Sequence, residues 1–122
     1  MTLNINSSLD VTYLSQVYGD DASIISMIFE AFVSDSYPRW MGLKQTLDAG
    51  NLAEAASVVH GIKPSFTMTG ITWLRPKVEE MERAIKANAD ADTLFNFYAE
   101  ISAELGPLIP ILEEESKRLA SL

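Results

Sequence analysis

The chain has 122 residues, 48% of them hydrophobic, with 17 acidic and 9 basic side chains and a formal net charge of -8. That length suits one domain spanning 1–122 with a core of its own, and that hydrophobicity is at odds with disorder. The lack of cysteine excludes disulfides, thiolate metal sites and cysteine nucleophiles, and the acidic balance, with basic residues scattered singly, argues against a nucleic-acid partner.

The first twenty residues hold no Lys or Arg and no sustained apolar block, which is unlike a secretory signal. No apolar run is long enough to cross a bilayer. The expectation is a cytoplasmic protein without a membrane partner.

In chain order, residues 1–9 read as a lead-in. Asp10 is placed to cap a short helix with Val11, Leu14 and Val17 or Tyr18 along one edge, closed by Gly19. Asp20 or Asp21 opens a segment reaching about Ala49, with Ile25, Phe29, Phe32, Ser36, Trp40, Leu43 and Leu47 in steps of three or four. Pro38 removes one backbone bond inside it, but the phase is the same on both sides, so the spacing predicts one kinked helix.

Gly50 and Asn51 make the next turn. The third helix runs from Leu52 to about Met68 with Leu52, Ala55, Val59, Ile62 and Phe66 in one stripe, and Gly70 falls on the same face. The fourth begins near Thr72 or Trp73 and carries Leu74, Val78, Met81 and Ile85, with Pro76 in or just past its first turn. The last starts at Asp90 or Asp92, and its apolar steps (Leu94, Tyr98, Ile101, Leu105, Leu108, Leu112, Leu119) continue through Pro107 and Pro110, which predicts one bent helix. No segment alternates with the period of a strand. The fold class expected is all-α, an antiparallel up-down four-helix bundle with a short N-terminal helix covering one end.

Much chemistry is excluded by pattern. There is no phosphate-cradling or nucleophile-elbow motif, and with a single histidine, preceded by Ser57 three residues earlier, no metal site is expected. Glu79, Glu80 and Glu82, and likewise Glu113 to Glu115, read as solvated helix faces.

The stretch VVHGIKPSFTMTG (58–70) stands apart. His60 lies about 100° from Val59 on the wheel, at the edge of the apolar stripe, with Ser57, Lys63, Pro64 and Thr67 as neighbours. Lys63, three residues on, shares its face, and an ammonium there offsets the charge of a phosphoryl group on the imidazole. Gly61 and Pro64 cost a helix about 1 and about 3 kcal/mol relative to alanine. Two readings of that cost stay open: a helix kinked to fit its neighbours, or an open backbone that lets a partner approach the imidazole.

HGIKPSFTMTG resembles the signature of histidine-containing phosphotransfer (HPt) domains, roughly His-x-x-Lys-Gly-Ser with a glycine ten residues after the histidine. His60, Lys63, Ser65 and Gly70 match in type and spacing, and Pro64 stands where the family has glycine. The resemblance implies a phosphorelay. His60 would accept a phosphoryl group from an aspartyl phosphate on a receiver domain of a hybrid sensor kinase or response regulator, and pass it to another. Lys63 would steady the phosphohistidine and Gly70 would allow close packing behind the site. Mg²⁺ would sit on the partner receiver, with no cofactor held by this chain, which would act as a monomeric carrier without a kinase motif. The wheel adds Ser57, Gly61, Pro64 and Thr67 as the expected docking face. The competing expectation is a helical protein-interaction module without chemistry.

Overall fold

The computed structural model describes residues 3–122, and every regular element among them is helical. In order these are α1 (Val11–Tyr18), α2 (Ala22–Ala31), a π-helical turn (Phe32–Ser36), α3 (Tyr37–Asp48), α4 (Leu52–Met68), a 3₁₀ turn (Thr72–Leu74), α5 (Arg75–Lys86), α6 (Ala91–Leu105) and α7 (Leu108–Ala120). Four starts are set by side-chain caps: Asp10, Asp21, Asn51 and Asp90 accept from the backbone N–H of Tyr13, Ile24, Glu54 and Thr93. Each occupies an N–H that has no partner within its own helix.

The rod 22–48 is a single helical path, as the phase across Pro38 predicts. Proline supplies no N–H, and its ring crowds the carbonyl four residues back. The chain widens into the π turn just before it, where the Tyr37 N–H reaches the Phe32 carbonyl five residues earlier. The wider turn falls where the apolar row takes two consecutive steps of four, Phe32 to Ser36 to Trp40, and the whole row from Ile25 to Leu47 is buried.

The C-terminal run departs from expectation. It is two helices, α6 and α7, separated at Gly106 and Pro107. Pro107 and Pro110 each withhold a backbone donor, and the Ile109 N–H turns instead to the Gly106 carbonyl at 3.2 Å, three residues back. The apolar register survives: Leu94, Ile101, Leu105, Leu108, Leu112 and Leu119 are all buried. α1 also buries less than its pattern implies, since only Leu14 is fully enclosed while Val17 is 53% exposed.

α4 packs between α3 and α5, α6 closes against both α5 and α3, and α7 lies along α2. Phe66 of α4 meets Phe32 edge-on with ring centroids 5.5 Å apart and Trp40 at 6.3 Å, and Trp40 stacks on Tyr98 of α6 at 5.1 Å. These rings set the rotation of α4 about its axis. With Val59, Ile62 and Phe66 inside, His60, Gly61 and Pro64 between them face outward.

Gly70 lies beyond the end of α4 and not on its buried stripe. It has φ +81°, its N–H reaches the Thr67 carbonyl and the Ile71 N–H reaches that of Phe66, both at about the usual length. This is a Schellman close, which needs a left-handed residue. The neighbour of Gly70 is Leu14 of α1: a Cβ at position 70 would come within 2.9 Å of the leucine side chain. The Asp10 N–H also reaches the Gly70 carbonyl at 2.8 Å. Gly70→Ala combines left-handed strain with overpacking and is expected to lower stability by about 2–4 kcal/mol. Urea unfolding with an unchanged m-value measures it.

Candidate functional site

His60 stands on the outer face of α4 with its side chain 70% exposed. Its Nδ1 lies 2.9 Å from Oε2 of Glu82 on α5, while Lys63 Nζ lies 2.7 Å from Oε1 of the same carboxylate. Lys86, one turn further along α5, approaches Oε2 at 3.3 Å. One carboxylate therefore gathers three nitrogens from two helices.

Glu82 is the residue that the sequence pattern misplaces. It was expected on a solvated face with Glu79 and Glu80, but it is 5% exposed. Glu115 departs in the same way, being buried and held by Arg118 and by the Asn6 N–H. Burial pushes the Glu82 carboxyl up, and hydrogen bonds from Lys63, His60 and Lys86 outweigh it, holding its pKa at about 2. An ionised carboxylate only accepts, so in the neutral imidazole the proton sits on Nδ1 and the lone pair on Nε2. Nε2 has no hydrogen-bond partner among the described residues and belongs to an exposed ring.

Lys63, expected beside His60 on the same face, is turned to Glu82 and is only 17% exposed. Ser57, Gly61 and Pro64 are exposed. Thr67 is half-buried, and its hydroxyl accepts from Arg75 Nη1 at 2.9 Å. Ser65 is also half-buried and donates to the Ile62 carbonyl within α4. Gly61 proves to be the resting place of another side chain: a Cβ there would lie 2.8 Å from Arg39 Nη2 on α3. Helix α4 runs through Pro64 without a break.

Neither Glu82 nor Arg39 carries a signal in the sequence. They lie 22 and 21 positions from His60, in other helices, and only the way α3, α4 and α5 pack brings Glu82 to His60 and Arg39 to its neighbour Gly61. Among the described residues, no group of three or more His, Asp or Glu could hold a metal ion, and no helix is long and apolar enough to cross a membrane.

Compared with family models, curated proteins and solved structures, the chain matches none.

The Glu82 carboxyl has an ordinary value of 4.5 and a folded value of about 2. Between these the unfolded chain binds more protons, so the stabilisation is complete above about pH 4.5 and is lost as pH falls toward 2. Relative to Glu82→Gln, the wild type is expected to lose on the order of 2 kcal/mol between pH 6 and pH 3. Urea denaturation of both proteins at the two pH values tests it.

Proposed function

We propose that the protein is a histidine phosphotransfer carrier that relays a phosphoryl group between receiver-domain aspartates through His60. The observation that supports this most is the pairing of His60 Nδ1 with an ionised, buried carboxylate, which directs the Nε2 lone pair to solvent. The HPt-like spacing of His60, Lys63, Ser65 and Gly70 supports it independently.

The step balances without a group from elsewhere. The Nε2 lone pair attacks the phosphorus of a receiver's aspartyl phosphate, the N–P bond forms, and the P–O bond to the aspartate breaks with its electron pair leaving on the carboxylate. The ring becomes imidazolium, and its Nδ1 proton is already held by Glu82, whose negative charge offsets the positive one as it develops. Reversal onto a second receiver's aspartate empties the site. Glu82 is thus a positioning residue that fixes the tautomer and aims the ring. Mg²⁺ belongs to the receiver in this reading, and Ser57, Gly61 and Pro64 lie on the face a receiver would cover.

On the same reading the rod 22–48, α4, α5 and the α6–α7 run are the four members of an antiparallel up-down bundle, with α1 over the end where Gly70 meets Leu14. A monomeric cytoplasmic carrier goes with it, since a relay needs receivers in the same compartment and a free outer face on α4.

Incubation with a panel of labelled receiver domains tests the relay. Wild type is expected to gain acid-labile, base-stable label, and His60→Gln to gain none while keeping its helical circular dichroism. Glu82→Gln is expected to slow transfer by roughly tenfold or more, because a neutral amide does not offset the imidazolium charge. Absence of label from every receiver, with a folded wild type, would favour a helical interaction module instead.

A further inference from the structure

The cation that the sequence pattern assigns to a phosphoryl group on His60 is already engaged. Lys63 is bound to Glu82 at 2.7 Å and mostly enclosed, and withdrawing it would leave a buried carboxylate short of a partner. Lys86 is held by the same carboxylate, and it comes from α5, the flank toward which Nδ1 points. Both lysines are thus paired with the carboxylate that holds the Nδ1 edge of the ring.

Arg39 is held by neither Glu82 nor α5. It comes from α3, on the opposite flank of α4. Its side chain is 46% exposed, and its ion pair is with Asp35 at 3.7 Å, itself 70% exposed. Such a pair on the surface contributes about 0–1 kcal/mol and is easily exchanged. Its Nη2 lies so near Gly61, the residue next to His60, that a Cβ there would stand 2.8 Å away. The missing side chain at position 61 is what lets the guanidinium rest against α4 at that point.

We propose that Arg39 is a phosphoryl-binding residue of the His60 site. When Nε2 carries a phosphoryl group, the guanidinium leaves Asp35 and takes the phosphoryl oxygens, for which its planar fork of donors is suited. Asp35 is then a competitor that holds Arg39 while the site is empty. The inference rests on His60 being the phosphoryl carrier and adds the residue that receives the charge.

Phosphoramidate tests this without any partner protein. The Nε2 lone pair attacks its phosphorus, the N–P bond to the ring forms, and the original P–N bond breaks with ammonia as the leaving group. ³¹P spectra follow phosphohistidine, and ¹⁵N–¹H spectra follow the Arg39 Nε–H. Phosphorylation of wild type is expected to shift the Arg39 Nε–H signal. Arg39→Gln should slow phosphorylation by about fivefold, the upper end for an exposed charge pair. Asp35→Asn should speed it, and Gly61→Ala, which displaces the guanidinium but favours the helix, should slow it. An unmoved Arg39 signal with an unchanged rate in Arg39→Gln would overturn the inference and leave the relay standing. Failure of wild-type His60 to react, while free imidazole in the same tube does, would overturn the carrier reading and this inference with it.

Discussion

A charge removed from water has to be met by other charges, and in this protein that constraint acts at Glu82. The carboxylate is nearly enclosed between α4 and α5, and it remains ionised because Lys63, His60 and Lys86 all turn to it. Any one of these bonds is ordinary. Together they couple the two helices, draw Lys63 onto the carboxylate, and choose which nitrogen of His60 carries the proton. The histidine is exposed, yet one edge of its ring is held by the carboxylate.

That arrangement depends on α4 presenting a particular face, which is a matter of packing. Phe66 between Phe32 and Trp40, together with Ile62 and Val59, leaves α4 little freedom to turn about its axis. The π turn ahead of Pro38 matters for the same reason. It keeps Phe32 and Trp40 on one side of the long rod, so that both rings reach Phe66. At the far end of α4, the left-handed Gly70 closes the helix and seats Leu14. The helix that carries His60 is therefore fixed along its flank by aromatic contacts and at its end by a turn.

Much of the helical framework is legible in the residue pattern. The limits of α4, the capping aspartates, the continuity of the rod across Pro38 and nearly every core position follow from steps of three and four and from the chemistry of caps. His60 could be placed outside the core from its angle to Val59 alone. The pattern misleads where apolar periodicity persists through a broken hydrogen-bond ladder. Leu105 and Leu108 stay in phase across Gly106 and Pro107, but two prolines so close together withhold too many donors for one helix. It also misleads at Gly70, where the angular position fits the stripe but the helix has already ended.

Local rules act between residues a few positions apart, and they are sufficient to say that the chain is helical, which sides of its helices are apolar, and that one histidine lies at the edge of such a side. Which groups surround that histidine is a different kind of fact. Glu82 sits in a row of charged residues that reads as a solvated face, and it becomes a buried anchor only because α5 packs against α4 in this register. Arg39 is an unremarked cation on α3 until the absence of a side chain at Gly61 lets it lie against α4 at the residue next to His60. Burial and distance arise when helices pack against one another, so the tautomer of His60 and the burial of Glu82 were decided by tertiary structure, while the helices that carry them were written in the order of the residues.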